Sequence, residues 1–155
     1  MDKLWAPWRM KYIISHKNTG CIFCQMPKQN KDKKNHIIER KKFVYSVLNI
    51  FPYNNGHILV APYKHTASLN KLTRPQIQEL MELVTESMNL LKKKLKPHGF
   101  NVGINIGKVA GAGYDKHIHF HIVPRWDADT NFMPILADTK VIAQSLGQLY
   151  EVLTK

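Results

Sequence analysis

Three histidines at alternate positions, His117, His119 and His121, form the group of residues best suited to chemistry. Side chains alternate between the two faces of a β-strand, so all three imidazoles would share one face. The residues between them are apolar, which predicts that the opposite face packs in a core. Imidazole acts near neutral pH as a base, a nucleophile or a metal ligand. The pattern predicts a strand that lines a reactive pocket, and the alternative is the polar face of an edge strand.

A second candidate is the pair Cys21 and Cys24. The C-x-x-C spacing is that of a zinc ligand pair, but it supplies only half of a tetrahedral site. The alternative is two reduced, buried thiols without a metal. A thioredoxin-like redox role is not expected, because no β-α-β pattern surrounds the pair.

Length and composition favour one soluble domain. The chain has 155 residues, 44% of them hydrophobic and 22% charged, enough for a sizeable core. No apolar run reaches transmembrane length, and residues 1–12 lack the apolar region of a signal peptide. Two cysteines give no disulfide framework, so we expect a reducing compartment, the cytoplasm.

The net charge of +12 comes mostly from lysine clusters. A positive field favours anionic ligands such as phosphates and would also favour nucleic acid. No basic stripe interleaved with aromatic residues is present, so nucleic acid is not the expected partner. Solvated surface is the alternative for most of these lysines.

The elements that must position the histidines are strands and one long helix. Apolar spacing and a capping box at Thr73 and Gln76 predict a helix over 73–95. Residues 25–35 and 107–116 are expected to be loops, 52–56 a turn, and 140–153 a weaker helix. Strands are expected at 37–39, 43–50, 57–62, 100–106 and 117–124. Tight turns favour antiparallel pairing, so the predicted class is α+β.

The histidine pattern, followed by two apolar residues, resembles that of the histidine triad (HIT) superfamily of nucleotide hydrolases and transferases. The resemblance extends to Gly56–Pro62 with His65, and to the cysteine knuckle Cys21–Cys24. The segments 4–13, 124–126 and 129–134 are similar to those of the diadenosine tetraphosphate phosphorylase and hydrolase branch. This resemblance implies a five-stranded antiparallel sheet packed with one long and one shorter helix, and a homodimer. It makes 1–155 a single domain, with an arm and knuckle at 1–35, a catalytic core at 36–135 and a C-terminal helix at 136–155.

The resemblance also implies a role for each active-site histidine. His119 would attack the α-phosphorus and form a nucleotidyl-histidine, which water or phosphate then cleaves. Its other ring nitrogen needs an acceptor, often a backbone carbonyl. His57 and His121 would flank the α-phosphate and donate hydrogen bonds to its oxygens.

The resemblance implies ligands for the substrate and for a metal. Asn49 lies where the family places a ribose-binding residue, and Asn105 would point toward the phosphate chain. Gly111 and Gly113 belong to a glycine-bearing loop that would cradle phosphates. Relatives often carry Ser or Gln in this loop, where this chain has Ala112, Gly113 and Tyr114. A structural zinc, not required for catalysis, would be held by Cys21, Cys24, His65 and His117.

The resemblance points to a substrate that is a purine nucleotide or a dinucleoside polyphosphate, with phosphate favoured over water as acceptor. Arg9, Lys108, Lys116 and Arg125 are cations that could hold that phosphate. One alternative is a nucleoside phosphoramidase, although its usual C-terminal signature is not recognisable. Another is a zinc-stabilised nucleotide-binding or RNA-binding module without turnover. Retention of the histidines argues against that module.

Overall fold

A computed structural model describes residues 20–130 and 140–155. It contains a five-stranded antiparallel sheet of order β1-β2-β3-β5-β4. The strands are β1 (Ile37–Arg40), β2 (Val44–Leu48), β3 (Ile58–Pro62), β4 (Gly99–Ile104) and β5 (Phe120–Arg125). The predicted α+β class is therefore confirmed.

Alternation along the central strands divides the core into two layers. On one face, residues such as Val44, Ile58 and Ile122 pack against the long helix. On the other face, Tyr45 and Leu59 pack against the cysteine knuckle. Because the period of a strand is two, His121 of β5, which is paired with Leu59, falls on the knuckle side, opposite the long helix.

Helices cover both faces of the sheet. They are α1 (Ile22–Lys28), the single turn α2 (Asp32–Asn35), α3 (Arg74–Leu95) and α4 (Leu146–Thr154), with short 3-10 turns at Leu69–Lys71 and Lys108–Ala110. The capping box predicted at Thr73 and Gln76 is present at the start of α3. In the described ranges no helix combines the length and the apolarity that crossing a bilayer requires.

Several sequence-based boundaries were wrong. Residues 25–35 were expected to be a loop, but α1 and α2 occupy most of them. The strand predicted at 117–124 begins at Phe120 rather than at His117, because the Ile118 N–H donates to the carbonyl of Thr66 instead of to a neighbouring strand. The last helix begins at Leu146, where Ser145 and Gln148 form a capping box. The arm 4–13 and the segment 131–134 lie outside the described residues.

Gly56 fixes the turn that delivers His57 to β3. Its φ of +80° is in the left-handed region, and a Cβ there would lie 2.8 Å from Leu95 Cδ1 and 2.9 Å from Pro124 Cγ. Both the backbone conformation and the packing against α3 and β5 therefore exclude a side chain.

We predict that Gly56→Ala lowers the free energy of unfolding by roughly 2–4 kcal/mol, the sum of left-handed strain and overpacking. Gly99→Ala is the matched control, because a Cβ at Gly99 has no atom within 4 Å in the described structure. Urea denaturation of both variants measures the difference. Equal stabilities would contradict this account of Gly56.

Candidate active site and metal centre

The three alternating histidines lie in a row on the knuckle face of the sheet. The ring centroids of His119 and His121 are 4.9 Å apart. His117 lies at the cysteine end of the row, and His121 reaches His57 at the other end. The side chains of Phe120 and Ile122 pack on the opposite face. The predicted separation of the two faces is confirmed.

The ring of His119 is oriented by the backbone two residues earlier. Its Nδ1 lies 2.8 Å from the carbonyl oxygen of His117. A carbonyl can only accept, so Nδ1 carries the proton and donates. The other nitrogen, Nε2, therefore keeps its lone pair. A buried imidazole, 7% exposed, thus presents an unprotonated nitrogen.

A backbone amide likewise determines which ring nitrogens of His57 and His121 carry the proton. The Tyr53 N–H donates to His57 Nδ1 at 3.0 Å, so Nδ1 carries no proton and the proton of neutral His57 is on Nε2. His57 Nε2 lies 2.9 Å from His121 Nδ1 and donates to it. His121 must then carry its proton on Nε2. Within the described structure, that buried nitrogen has no hydrogen-bond partner.

These two backbone constraints leave two complementary groups side by side. His119 offers a lone pair, and His121 offers a buried, unsatisfied N–H donor. A buried donor without a partner lowers the stability of the folded state by on the order of 1–3 kcal/mol. An acceptor oxygen of a bound ligand would therefore be the natural partner of the His121 N–H. A phosphoryl group, with an electrophilic phosphorus and acceptor oxygens, matches this pair.

Burial keeps these imidazoles neutral. Burial, followed by repulsion from a charged His121 or His119, lowers the pKa of His57 to about 3. Burial and the charge of His119 lower the pKa of His121 to about 4. Burial also lowers the pKa of His119, opposed by its hydrogen bond to the His117 carbonyl.

The position of His57 corrects one expectation. His57 was expected to donate directly to a phosphate oxygen, but both of its ring nitrogens have partners in the protein. Its proton is directed at His121, so His57 sets the tautomer of the group that faces the pocket. The sequence could not distinguish these roles, because the distinction depends on the direction of one ring.

Cys21, Cys24, His65 and His117 converge on one point and could hold a metal ion. Their candidate ligand atoms all lie within 4.8 Å of one another. Cys21 Sγ is 3.3 Å from His117 Nδ1, and Cys24 Sγ is 3.4 Å from His65 Nδ1 and 3.6 Å from His117 Nδ1. Zinc–sulfur and zinc–nitrogen bond lengths place the ligand atoms of a tetrahedral site about 3.6 Å apart. The four residues fit such a site.

The surroundings of His117 support the same assignment. Its Nε2 lies 2.8 Å from the carbonyl oxygen of Pro62, so Nε2 is the protonated nitrogen. Nδ1 is then unprotonated and faces the thiols, as a metal ligand requires. Burial lowers the pKa of His117 to about 4, which keeps the ring neutral for the metal.

The expected substrate ligands are distributed around the histidines. Asn49 Oδ1 accepts from the Phe51 N–H, and its Nδ2 lies 3.3 Å from His57 Nδ1. Asn105 was expected to point toward the phosphate chain, but its Nδ2 donates to the Gly111 carbonyl at 3.3 Å and spans the loop. Gly111 has a φ of +85°, whereas Gly113 has open space and no positive φ.

Among the expected cations, Arg125 is already engaged. Its guanidinium donates to both carboxylate oxygens of Asp129, at 2.6 Å and 3.1 Å, and also to Asn101. Arg125 therefore binds the turn that follows β5, and it is not a free anchor for phosphate. Lys108 and Lys116 are exposed at the ends of the glycine-bearing loop. Arg9 lies outside the described residues.

Two residues of this site were missed in the sequence. Tyr53 supplies the amide that orients His57, and its ring is stacked on His121 at 5.5 Å with an interplanar angle of 9°. Phe23 is stacked on His119 at 4.5 Å. The only signals available were the position of Phe23 between the two cysteines and that of Tyr53 in the turn before His57.

Comparison with known proteins identifies the family. The HIT domain family model matches residues 30–128. The chain belongs to the HIT domain family. It is 39% identical to an AP-4-A phosphorylase of Mycobacterium tuberculosis, over 94% of this chain and 79% of that protein.

The chain is also similar to a second curated protein and to a solved structure. An adenosine 5'-monophosphoramidase of Candida albicans is 30% identical over 91% of this chain and 92% of that protein. A Zn-bound histidine triad family protein from Mycobacterium smegmatis has a TM-score of 0.68 at 23% identity, covering 87% of this HIT chain and 91% of that one. The second similarity is one of fold.

We predict that the protein purified without chelator contains about one zinc ion per chain, because the Cys2His2 set is complete. Cys24→Ser should lose the metal and melt several degrees lower, since metal binding stabilises the folded state. Elemental analysis and thermal unfolding measure both. His98→Ala, which removes an exposed histidine paired with Asp127, should retain the metal. Wild-type protein without metal, with both thiols freely titratable, would contradict the prediction.

The lowered pKa of His57 predicts a pH-dependent contribution to stability. Below about pH 6.5 the unfolded chain binds a proton at His57, whereas the folded chain does not until the pH nears 3. This contribution is present above pH 6.5 and is lost as the pH falls. The difference in unfolding free energy between wild type and His57→Gln should therefore decrease by about 2 kcal/mol from pH 8 to pH 5. Urea titrations at the two pH values measure it, and a constant difference would contradict burial of a neutral His57.

Proposed function

We propose that this protein transfers a nucleotidyl group from a dinucleoside polyphosphate, of the diadenosine tetraphosphate class, through a covalent intermediate on His119. The observation that carries the proposal is the pairing of two nitrogens. His119 Nε2 has a lone pair because its Nδ1–H is bound to the His117 carbonyl. Beside it, His121 carries an N–H with no partner among the described residues.

In the first step, His119 Nε2 attacks the α-phosphorus of diadenosine tetraphosphate. A P–N bond forms, the bond from that phosphorus to the bridging oxygen breaks, and ATP leaves. The imidazole becomes cationic, and its retained Nδ1–H donates to the His117 carbonyl throughout. In the second step, an oxygen of the acceptor attacks the same phosphorus and the P–N bond breaks. Phosphate yields ADP, and water yields AMP.

His121 stabilises the transition state in this proposal. Its Nε2–H donates to a nonbridging oxygen whose negative charge grows during attack. His57 Nε2–H donates to His121 Nδ1, and this hydrogen bond keeps the proton of His121 on its own Nε2. Because the donor is oriented before substrate binds, little reorganisation is needed during the reaction.

The loop after β4 and the turn after β2 complete the proposed substrate site. Gly111 and Gly113 would let the backbone approach the polyphosphate, and Asn105 would act by pinning the loop at Gly111. Asn49 would bind the ribose, since it adjoins His57 at the end of β2.

The substrate class is supported by the relative called AP-4-A phosphorylase, which is similar over 94% of this chain. A second candidate activity is that of a nucleoside phosphoramidase, favoured by the 30% identity to the Candida albicans enzyme. The same histidine would form the same intermediate from either substrate, because only the leaving group differs. A non-catalytic nucleotide-binding or RNA-binding module would not require the unprotonated Nε2 of His119 beside the unpartnered Nε2–H of His121.

The metal, proposed to be zinc, would have a structural role. Cys21, Cys24, His65 and His117 would fill all four positions of a tetrahedral site, which would leave none open for substrate. The bound ion would supply cohesion between the knuckle and the start of the catalytic strand. The reaction steps proposed here use only the histidines.

We also propose a homodimer that forms through β4. This strand lies at the edge of the described sheet, and Asn101, Val102 and Gly103 are exposed. An open edge is a template for pairing with a second copy of the chain. Light scattering that gives the mass of one chain would reject the proposal. The cytoplasmic location and the single-domain boundaries stay predictions.

We predict that His119→Ala lowers the turnover of diadenosine tetraphosphate by at least about a thousandfold, because the covalent route is lost. Binding of a nonhydrolysable analogue should weaken by less than about fivefold. His98→Ala, at an exposed histidine, is the control and should keep full activity. Activity of His119→Ala within a few-fold of wild type would remove the nucleophile assignment.

The acceptor is expected to be phosphate rather than water. Phosphate held beside the intermediate gains an effective concentration that offsets the abundance of water. Lys108 and Lys116, both exposed beside the loop, could supply the attraction. Incubation of diadenosine tetraphosphate with millimolar phosphate should give ADP and ATP, with little product when phosphate is omitted. AMP and ATP at equal rates in both samples would indicate a hydrolase.

A further inference from the structure

Phe23 lies between the candidate metal ligands Cys21 and Cys24 in the sequence, and its ring contacts the proposed nucleophile. Its ring is stacked on His119, with centroids 4.5 Å apart and an interplanar angle of 25°. The same ring lies 5.3 Å from His117. Phe23 is only 2% exposed, so its ring is fixed by its surroundings.

The backbone of Phe23 is held as firmly as its ring. Pro27, four residues later in α1, has no N–H to donate to the Phe23 carbonyl. The buried hydroxyl of Tyr45 donates to that carbonyl instead, at 2.8 Å. Cys21 and Cys24, on either side of Phe23 in the sequence, belong to the metal site.

Two connections therefore join the metal site to His119. One is the His117 carbonyl, which belongs to a metal-binding residue and accepts from His119 Nδ1. The other is the ring of Phe23. The hydrogen bond fixes one nitrogen of the imidazole, but it permits the ring to tilt about that bond. The flat face of Phe23 removes this remaining freedom.

We infer that Phe23 is a positioning residue, through which the metal-bound knuckle holds the His119 ring in its attacking orientation. This inference rests on the proposed function of His119 as the nucleophile. The metal site would then also orient the nucleophile, because the knuckle packs directly against His119. A small misplacement of a nucleophile costs a large factor in rate, whereas ground-state binding is little affected.

The test is Phe23→Leu, which keeps an apolar side chain and removes the flat ring. Phe100→Leu is the matched control, because Phe100 packs against the core on the other face of the sheet. Metal content and melting temperature are measured for both. We expect Phe23→Leu to retain its metal and to lose about 10- to 100-fold in kcat, with KM within about threefold. Phe100→Leu should stay within about twofold in kcat, even where its melting temperature falls.

Nitrogen-15 NMR of the histidine rings separates this inference from the proposed function. In wild type, His119 should show a single tautomer protonated at Nδ1, whereas Phe23→Leu should show averaging between orientations. A variant that retains wild-type kcat and a sharp wild-type Nδ1–H signal would overturn the inference. Wild type without turnover, but with the expected change in NMR between wild type and variant, would reject the proposed function and leave the positioning role standing.

Discussion

The hydrogen bond from His119 Nδ1 to the carbonyl of His117 is the interaction on which the rest of the site depends. It forms between residues two apart in the segment that leads into β5, so it needs only the local backbone to be held. That segment is held by the Ile118 N–H bonded to Thr66 and by the His117 ring bonded to Pro62. A main-chain carbonyl cannot be protonated at working pH, so the tautomer of His119 is fixed by geometry rather than by a titrating group.

The two faces of the sheet carry different groups of residues. Its α3 face carries a continuous apolar layer, while its other face carries a smaller apolar cluster together with the histidines, Phe23 and the candidate metal ligands. Because one strand contributes to both faces, packing of Phe120 and Ile122 against the core determines where His119 and His121 lie. Gly56 helps to position His57 at the start of the neighbouring strand, because it lets the turn before His57 approach α3 closely.

Much of this arrangement could be predicted from alternation and capping signals. The apolar residues between the histidines indicated the two faces, and Thr73 with Gln76 marked the start of the long helix. The metal set was predicted from the family resemblance. Helix α1 was missed because it is only seven residues long and contains Pro27, so its stability depends on tertiary contacts such as the Tyr45 hydroxyl. The part of His57 was also missed, because both ring nitrogens of a histidine look alike in a sequence, and only the Tyr53 amide distinguishes them.

The central claim is that His119 Nε2 is the atom that forms the covalent bond. Its most direct test is to mix the enzyme with diadenosine tetraphosphate in the absence of phosphate, and to quench with alkali, in which a phosphorus–imidazole bond survives. Peptide mapping by mass spectrometry then locates the nucleotide. One nucleotidyl group is expected on His119, and it should be released as ADP when phosphate is added before the quench. An adduct on His121 or His57, or turnover without any covalent adduct, would contradict it.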